Sequence, residues 1–224
     1  MNEYGIRIKF CLHRVEQSEN ISGQWEHLAV ALKEMDELGC APIIDGCPSG
    51  NIAFKVDNGI IVSRSRRSAI DIGIQDFVKV LNFDFKEWEA QYISADESIC
   101  PTSDTPLYWS TLMETPHQLG WKENPQVAIH GHFFDTQEAA NNLNIPISQR
   151  ETEFGTPEDL EALLQLLKNY PYPTYKIFIR KGHGFFILAN TIRQAIDLVV
   201  TMIEKNRKLN PSTQGKQVLE ERSQ

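Results

Sequence analysis

The sequence predicts an α/β domain with a hairpin-rich sheet, and three observations carry that prediction. Strand-like and helix-like apolar patterns alternate along the chain, without internal repeats or low-complexity tracts. NIAFKV, DNG and IIVS read in succession as a β-hairpin, with Asp57, Asn58 and Gly59 giving the turn. The strict strand-helix repeat of a doubly wound parallel sheet is missing. At 224 residues the chain suits one large domain with a sizeable core, or at most two small ones, and one is the expected number.

Taken in order, residues 5–12, GIRIKFCL, alternate enough to read as a strand. From Trp25 the residues Leu28, Ala29, Leu32 and Met35 fall at helical spacing until Gly39 supplies a stop. After the hairpin, a helix follows SDTP near Asp104 and ends before Pro116. VAIHGHFFDT, residues 127–136, follows it as a strand. Thr156 and Pro157 form an N-cap and first-turn pair ahead of Leu160, Leu163, Leu164 and Leu167. YKIFIR and FFILA are strands joined by KGHG, and Asn190 or Thr191 starts a closing helix through Ala195, Ile196 and Val199. The stretch 205–224 is polar and carries no packing signal.

Composition narrows the functional classes. Hydrophobic residues make up 41% and charged residues 23%, as in ordinary globular proteins. A net charge of −8 argues against nucleic acid or an anionic membrane as the main partner, because both need a basic face. The N-terminal stretch has no apolar h-region and no window approaches a membrane span, so a cytoplasmic location is expected. Cys11, Cys40, Cys47 and Cys100 lack C-x-x-C spacing and read as free thiols.

The chemistry concentrates in IHGH. In a strand, His130 and His132 point to one side while Ile129 and Phe133 point to the other, so two imidazoles can share one ligand. A catalytic zinc ion wants three protein ligands and an open position. His183, between two glycines at a turn joining two apolar strands, is the candidate third. The alternative is that all three are hydrogen-bonded core or surface histidines.

Five segments follow one another: SGNIAF (49–54), IIVSRSRR (60–67), PTSDTP (101–106), VAIHGH (127–132) and GHGFF (182–186). In that order and approximate spacing the sequence resembles the class II aldolase and adducin superfamily over about residues 24–204. The family pattern runs through a Gly-Asn-x-Ser phosphate loop, a Thr-Pro-Ser-Gly turn, a Ser-Ser-Glu or Ser-Ser-Asp segment, the H-x-H strand and a last His-Gly. Any one of these motifs is weak, and the ordered set is specific.

The resemblance implies a single-domain α/β/α sandwich with a central mixed, largely antiparallel sheet. Residues 1–23 stand outside it as a strand extension and 205–224 as a tail. It implies a divalent ion on His130, His132 and His183, zinc first, with Mn²⁺, Fe²⁺, Co²⁺ or Ni²⁺ also suited to such a donor set. It implies anion binding by Asn51, Ser65, Thr102 and Ser103, and cyclic tetramers with sites between subunits. Asp104 holds the family's acidic position, and Asp-Thr-Pro is similar to the pentulose-5-phosphate 4-epimerases. The same tripeptide is also a plain helix N-cap signal.

Three departures bear on the substrate. Ala53 replaces the usual serine of the phosphate loop, Arg66 stands where the turn normally ends in glycine, and no tyrosine follows Tyr175. Arg64, Arg66 and Arg67 offer bidentate anion binding by another route, with Arg66 the first candidate to select an acidic substrate. Glu151 is the candidate second acid–base residue beside Asp104, against the alternative of a solvated loop charge. The expected function is a metal-dependent lyase or isomerase that cleaves or epimerises a small hydroxy-carbonyl substrate through a stabilised enediolate. The alternatives are a sugar-phosphate dehydratase of the same fold and a non-catalytic module like the adducin head.

Overall fold

The computed structural model describes residues 8–16 and 24–209. The elements run β1 (Cys11–Arg14), α1 (Trp25–Glu37), β2 (Ile43–Ile44), β3 (Cys47–Pro48), β4 (Asn51–Val56), β5 (Gly59–Ser63), β6 (Phe77–Asp84) and β7 (Glu89–Ile93). They continue with α2 (Thr105–Trp109), α3 (Thr115–Gln118), β8 (Val127–Gly131), α4 (Gln137–Leu143), α5 (Pro157–Asn169), β9 (Ile177–Arg180), β10 (Gly184–Ala189) and α6 (Ile192–Leu209). Eight strands form one sheet in the order β1-β7-β6-β5-β4-β8-β10-β9. Its pairs are antiparallel except β1 with β7, which makes the sheet mixed and largely antiparallel, as expected.

Alternation along the central strands fills two cores. Ile52, Ile61, Ile129 and Ile187 face Leu28, Leu32 and Met35 of α1 and Ala195, Ile196 and Val199 of α6. Their neighbours Ala53, Val62, Ala128 and Phe186 face Leu107 and Tyr108 of α2 and Leu163 and Leu167 of α5. The period of two in the strands thus places helices on both faces of the sheet. Burying each of these Leu or Ile side chains contributes about 1.5–3 kcal/mol.

Several elements differ from the sequence reading for identifiable reasons. The N-terminal strand lies at Cys11–Arg14, set by its pairing with β7, and residues 5–7 of the expected strand fall outside the described residues. On α5 the packed set is Leu160, Leu163, Leu166 and Leu167, with Leu166 in place of Leu164. The helix after Asp104 does not stop before Pro116. A π-helical stretch, Ser110–Glu114, follows α2, and the Thr115 N–H donates to the Ser110 carbonyl. Pro116 has no N–H for the Leu112 carbonyl four residues back, and Lys55 Nζ donates there instead at 3.0 Å. α6 continues to Leu209 rather than giving way at residue 205, and Lys205 Nζ donates to the Leu143 carbonyl. The rest of the expected tail, 210–224, lies outside the described residues. Among the described residues no helix is long and apolar enough to cross a membrane.

Candidate functional site

His130 sits on β8, the central strand between β4 and β10, opposite Asn51 on one side and Phe186 on the other. His132 lies just past the end of β8, with its backbone N–H on the Cys40 carbonyl at 3.0 Å. His183 occupies the turn between β9 and β10, its N–H bonded to the Arg180 carbonyl at 3.0 Å. The flanking glycines make this convergence possible. A Cβ on Gly184, at φ +144°, would fall on the Gly131 carbonyl, and one on Gly131 would strike the Phe185 ring.

The three rings meet. Each pair of ring centroids is 4.7 Å apart, and one ligating nitrogen from each histidine lies within 4.8 Å of the others. His130 is fully buried. Its Nδ1 is 2.8 Å from the Phe185 carbonyl, which can only accept, so Nδ1 carries the proton and Nε2 presents a lone pair. That Nε2 is buried without a hydrogen-bond partner. A ring held by its far N–H on a carbonyl, with the other nitrogen bare, is the arrangement metal-ligating histidines adopt. Burial pushes the His130 imidazolium far below the ordinary range. Burial, then the Arg180 charge, pushes His183 down to about 3. Neutral imidazoles with an orphaned lone pair fit a divalent ion, and the donor set suits zinc among the metals that favour nitrogen.

Asp104 precedes α2, but its side chain makes no capping bond. The carboxylate is buried and turned to the histidines. Oδ1 accepts from Arg180 Nη1 at 2.7 Å, and Oδ2 accepts from Asn51 Nδ2 at 2.8 Å and lies 3.9 Å from His130 Nε2. Burial works against its charge, but Arg180 and the nearby donors outweigh it and hold the carboxyl far below the usual range. Asn51 is itself fixed by Tyr108, whose buried hydroxyl donates to the Asn51 carbonyl at 3.1 Å and to its Oδ1. The Asn51 side chain is therefore committed first to Asp104 and Tyr108.

A cavity of about 250 Å³ opens over these groups. Asn51, Ser65, Arg66, Thr102, Ser103, Asp104, His132 and His183 all line it, so the structure brings these expected residues to one place. Ile44, Pro48 and Phe154 add an apolar wall. The three arginines of the 64–67 segment have different surroundings. Arg64 Nε donates to Asp76 at 2.8 Å. Arg67, buried, pairs with Asp36 and donates to the Gly50 carbonyl at 3.1 Å. Arg66, at φ +56°, is exposed on the cavity rim and forms no ion pair among the described residues. Its positive φ is the conformation that a glycine would adopt at the end of such a turn. Glu151 is exposed and rests against Gly182, beside His183, but does not line the cavity.

Four residues of the site escape the sequence reading. Arg180 ends β9 with a buried guanidinium between Asp104 and Asp159. Asp159 sits in the first turn of α5, where an acid reads as a helix-dipole partner. Phe154 packs on the His183 ring with centroids 5.6 Å apart, and Lys9 lies 4.5 Å from the Phe154 centroid. Tyr108 alone had a legible signal, since it stands four residues after Asp104 and hence on the same helix face.

No family model matches the chain, and no curated protein matches it in sequence. Solved structures do. One is an L-fuculose 1-phosphate aldolase, 15% identical with a TM-score of 0.59, the match covering 89% of this chain and 90% of that one. Another is the L-fuculose-1-phosphate aldolase from Thermus thermophilus, 13% identical with a TM-score of 0.55, covering 86% and 96%. A third is a sugar-phosphate aldolase from Thermotoga maritima, 9% identical with a TM-score of 0.60, covering 85% and 96%. At such identities the likeness is one of fold.

Proposed function

We propose that this chain, which has the class II aldolase fold, is a metal-dependent lyase or isomerase acting on a small anionic hydroxy-carbonyl compound. One observation carries the proposal: one imidazole nitrogen from each of three histidines converges, that of His130 orphaned, beside an ionised carboxylate at the floor of a cavity. The structural relatives named as sugar-phosphate aldolases support the same reading.

In this reading His130, His132 and His183 hold the ion. When bound it supplies electrophilic stabilisation of the negative charge that develops on a substrate carbonyl oxygen. The remaining work belongs to the side chains. Arg66, with Ser65, Thr102 and Ser103 lining the same cavity, draws the anionic end of the substrate to one side. Asn51, locked by Tyr108, keeps Asp104 turned toward the histidines. Held ionised, Asp104 accepts hydrogen bonds, presents a negative charge to the ion and has no proton to give. Glu151 is the proton-handling candidate on the outer side, beside His183. Phe154, Ile44 and Pro48 give the cavity an apolar side for the carbon skeleton of the substrate.

The choice between retro-aldol cleavage and epimerisation depends on whether the fragments leave or recombine, and dehydration begins from the same kind of stabilised anion. A non-catalytic module leaves the orphaned His130 Nε2 without a reason. The proposal includes a homotetramer with sites near subunit boundaries, and Ile43, 61% exposed on the β2–β3 hairpin beside the cavity, is suited to a covered position.

Elemental analysis after chelation and reloading tests the proposal, together with a screen of phosphorylated and unphosphorylated ketoses. Stoichiometric divalent metal that is lost in His130→Ala, with metal-dependent turnover of an anionic ketose, is expected. Protein that takes up no divalent ion would remove the chemical centre of the proposal.

A further inference from the structure

The residue that organises the floor of the site is one that no motif marks. Arg180 is 3% exposed, and its guanidinium serves two carboxylates at once. Nη1 donates to Asp104 Oδ1 at 2.7 Å, Nε donates to Asp159 Oδ1 at 3.3 Å, and Nη2 donates to Asp159 Oδ2. Asp159 in turn accepts from the Gly155 N–H at 3.0 Å and from Thr152 Oγ1 at 3.0 Å. The segment so anchored carries Phe154, the aromatic wall of the cavity and the neighbour of His183. A planar fork with separate N–H directions can make these contacts together, whereas a lysine ammonium offers a single point.

The charges do not cancel. Asp104 and Asp159 bring two carboxylates to the one Arg180 guanidinium, and the His130 Nε2 that faces Asp104 is buried without a hydrogen-bond partner. The surplus negative charge lies on the side of Asp104 Oδ2, 3.9 Å from the bare His130 Nε2. An excess charge away from water is costly unless a counter-charge joins it.

We propose that Arg180 is a positioning residue with two simultaneous effects. It holds Asp104 with one oxygen free to face a cation among the three histidines, and through Asp159 it ties the Thr152–Gly155 segment to that same cation site. Metal occupancy and the ordering of the Thr152–Gly155 segment that carries Phe154 are then coupled through one buried guanidinium, and the coupling is reciprocal. This rests on the metal-dependent reading above, and the test separates the two.

The decisive variant is the double replacement Arg180→Met with Asp159→Asn, which removes one buried cation and one buried anion together and leaves the surplus charge unchanged. Zinc affinity is measured by competition with a chelator, and amide hydrogen exchange is followed at Gly155 with and without zinc. The wild-type protein is expected to bind zinc and to slow exchange at Gly155 when it does. The double variant is expected to melt cooperatively, to bind zinc about 10- to 100-fold more weakly, as losses around a ligand shell do, and to show no zinc effect at Gly155. Arg180→Lys, which keeps the charge and loses the fork, carries the same test if the double variant does not fold, with about tenfold weaker zinc binding expected. A folded double variant with wild-type zinc affinity, or a lysine variant with wild-type affinity and coupling, overturns the role of Arg180 alone. Wild-type protein that binds no divalent ion overturns the metal-dependent reading, and this proposal with it.

Discussion

Replacing His183 by glutamine is expected to remove a large part of the acid sensitivity of the metal-free protein. In the folded chain the His183 imidazole is pushed from the ordinary 6.5 down to about 3, first by burial and then by the Arg180 charge. Between those values the unfolded chain binds a proton that the folded chain refuses, so stability falls as the pH drops from 6.5 toward 3 and is unaffected above that window. One pH unit corresponds to about 1.4 kcal/mol, and pH 4.5 lies about two units into the window, giving a loss of about 3 kcal/mol from this ring. His130 is displaced in the same direction and adds to the loss in both proteins. The depressed Asp104 loses its contribution only in more acid solution, below the ordinary carboxylate range. The assay is urea denaturation of chelator-treated wild type and His183→Gln at pH 7.5 and pH 4.5, extrapolated to water. The wild type should lose about 3 kcal/mol more than the variant between the two conditions. Equal losses would refute the assignment of a neutral, proton-refusing His183.

Two further outcomes follow from the geometry. Arg66→Ala removes a charged donor at the cavity rim, so the KM for an anionic ketose should rise about 10- to 100-fold, the range for charge-assisted hydrogen bonds, with kcat little changed; unchanged affinity for every anionic ligand tested would remove Arg66 from recognition. Gly184→Ala places a Cβ on the Gly131 carbonyl at a φ of +144°, and a cost of about 2–5 kcal/mol is expected from strain and overpacking. A thermal midpoint equal to that of the wild type would contradict the close approach of β8 and β10.

Legibility in the sequence followed the range of the forces involved. The β4–β5 hairpin, the Thr156 cap of α5 and the placing of His130 on a strand were readable because turn chemistry, capping and a period of two act over a few residues. β6 was harder because a bulge between Val80 and Asn82 shifts its phase, so one alternation does not run its length. β1 is defined by a parallel pairing with β7, far away in the chain, that no local pattern encodes. Pro116 reads as a stop, and only Lys55, from a different element, shows how the stranded carbonyl is satisfied. In the site, the three histidines announce themselves by spacing and by neighbouring glycines. Arg180 and Asp159 do not, since a basic residue ending a strand and an acid opening a helix are ordinary surface features until the fold buries them against each other.

The same burial gives the proposed cation site a measurable effect on stability. A fold kept only as a scaffold gains nothing from an orphaned His130 Nε2, or from two carboxylates sharing one guanidinium in its interior. Each unsatisfied buried group costs about 1–3 kcal/mol, against a total stability of about 5–15 kcal/mol for a domain. An ion bound at a thousand times its dissociation constant adds about 4 kcal/mol, which for a domain of this size corresponds to a rise in melting temperature of about 10 °C. Calorimetry of the zinc-loaded and chelator-treated protein at pH 7.5 should show that difference, and it should shrink in Asp104→Asn, which removes the surplus negative charge facing the histidines. Equal midpoints with and without zinc would mean that the buried charge is balanced by something other than a cation at the histidines.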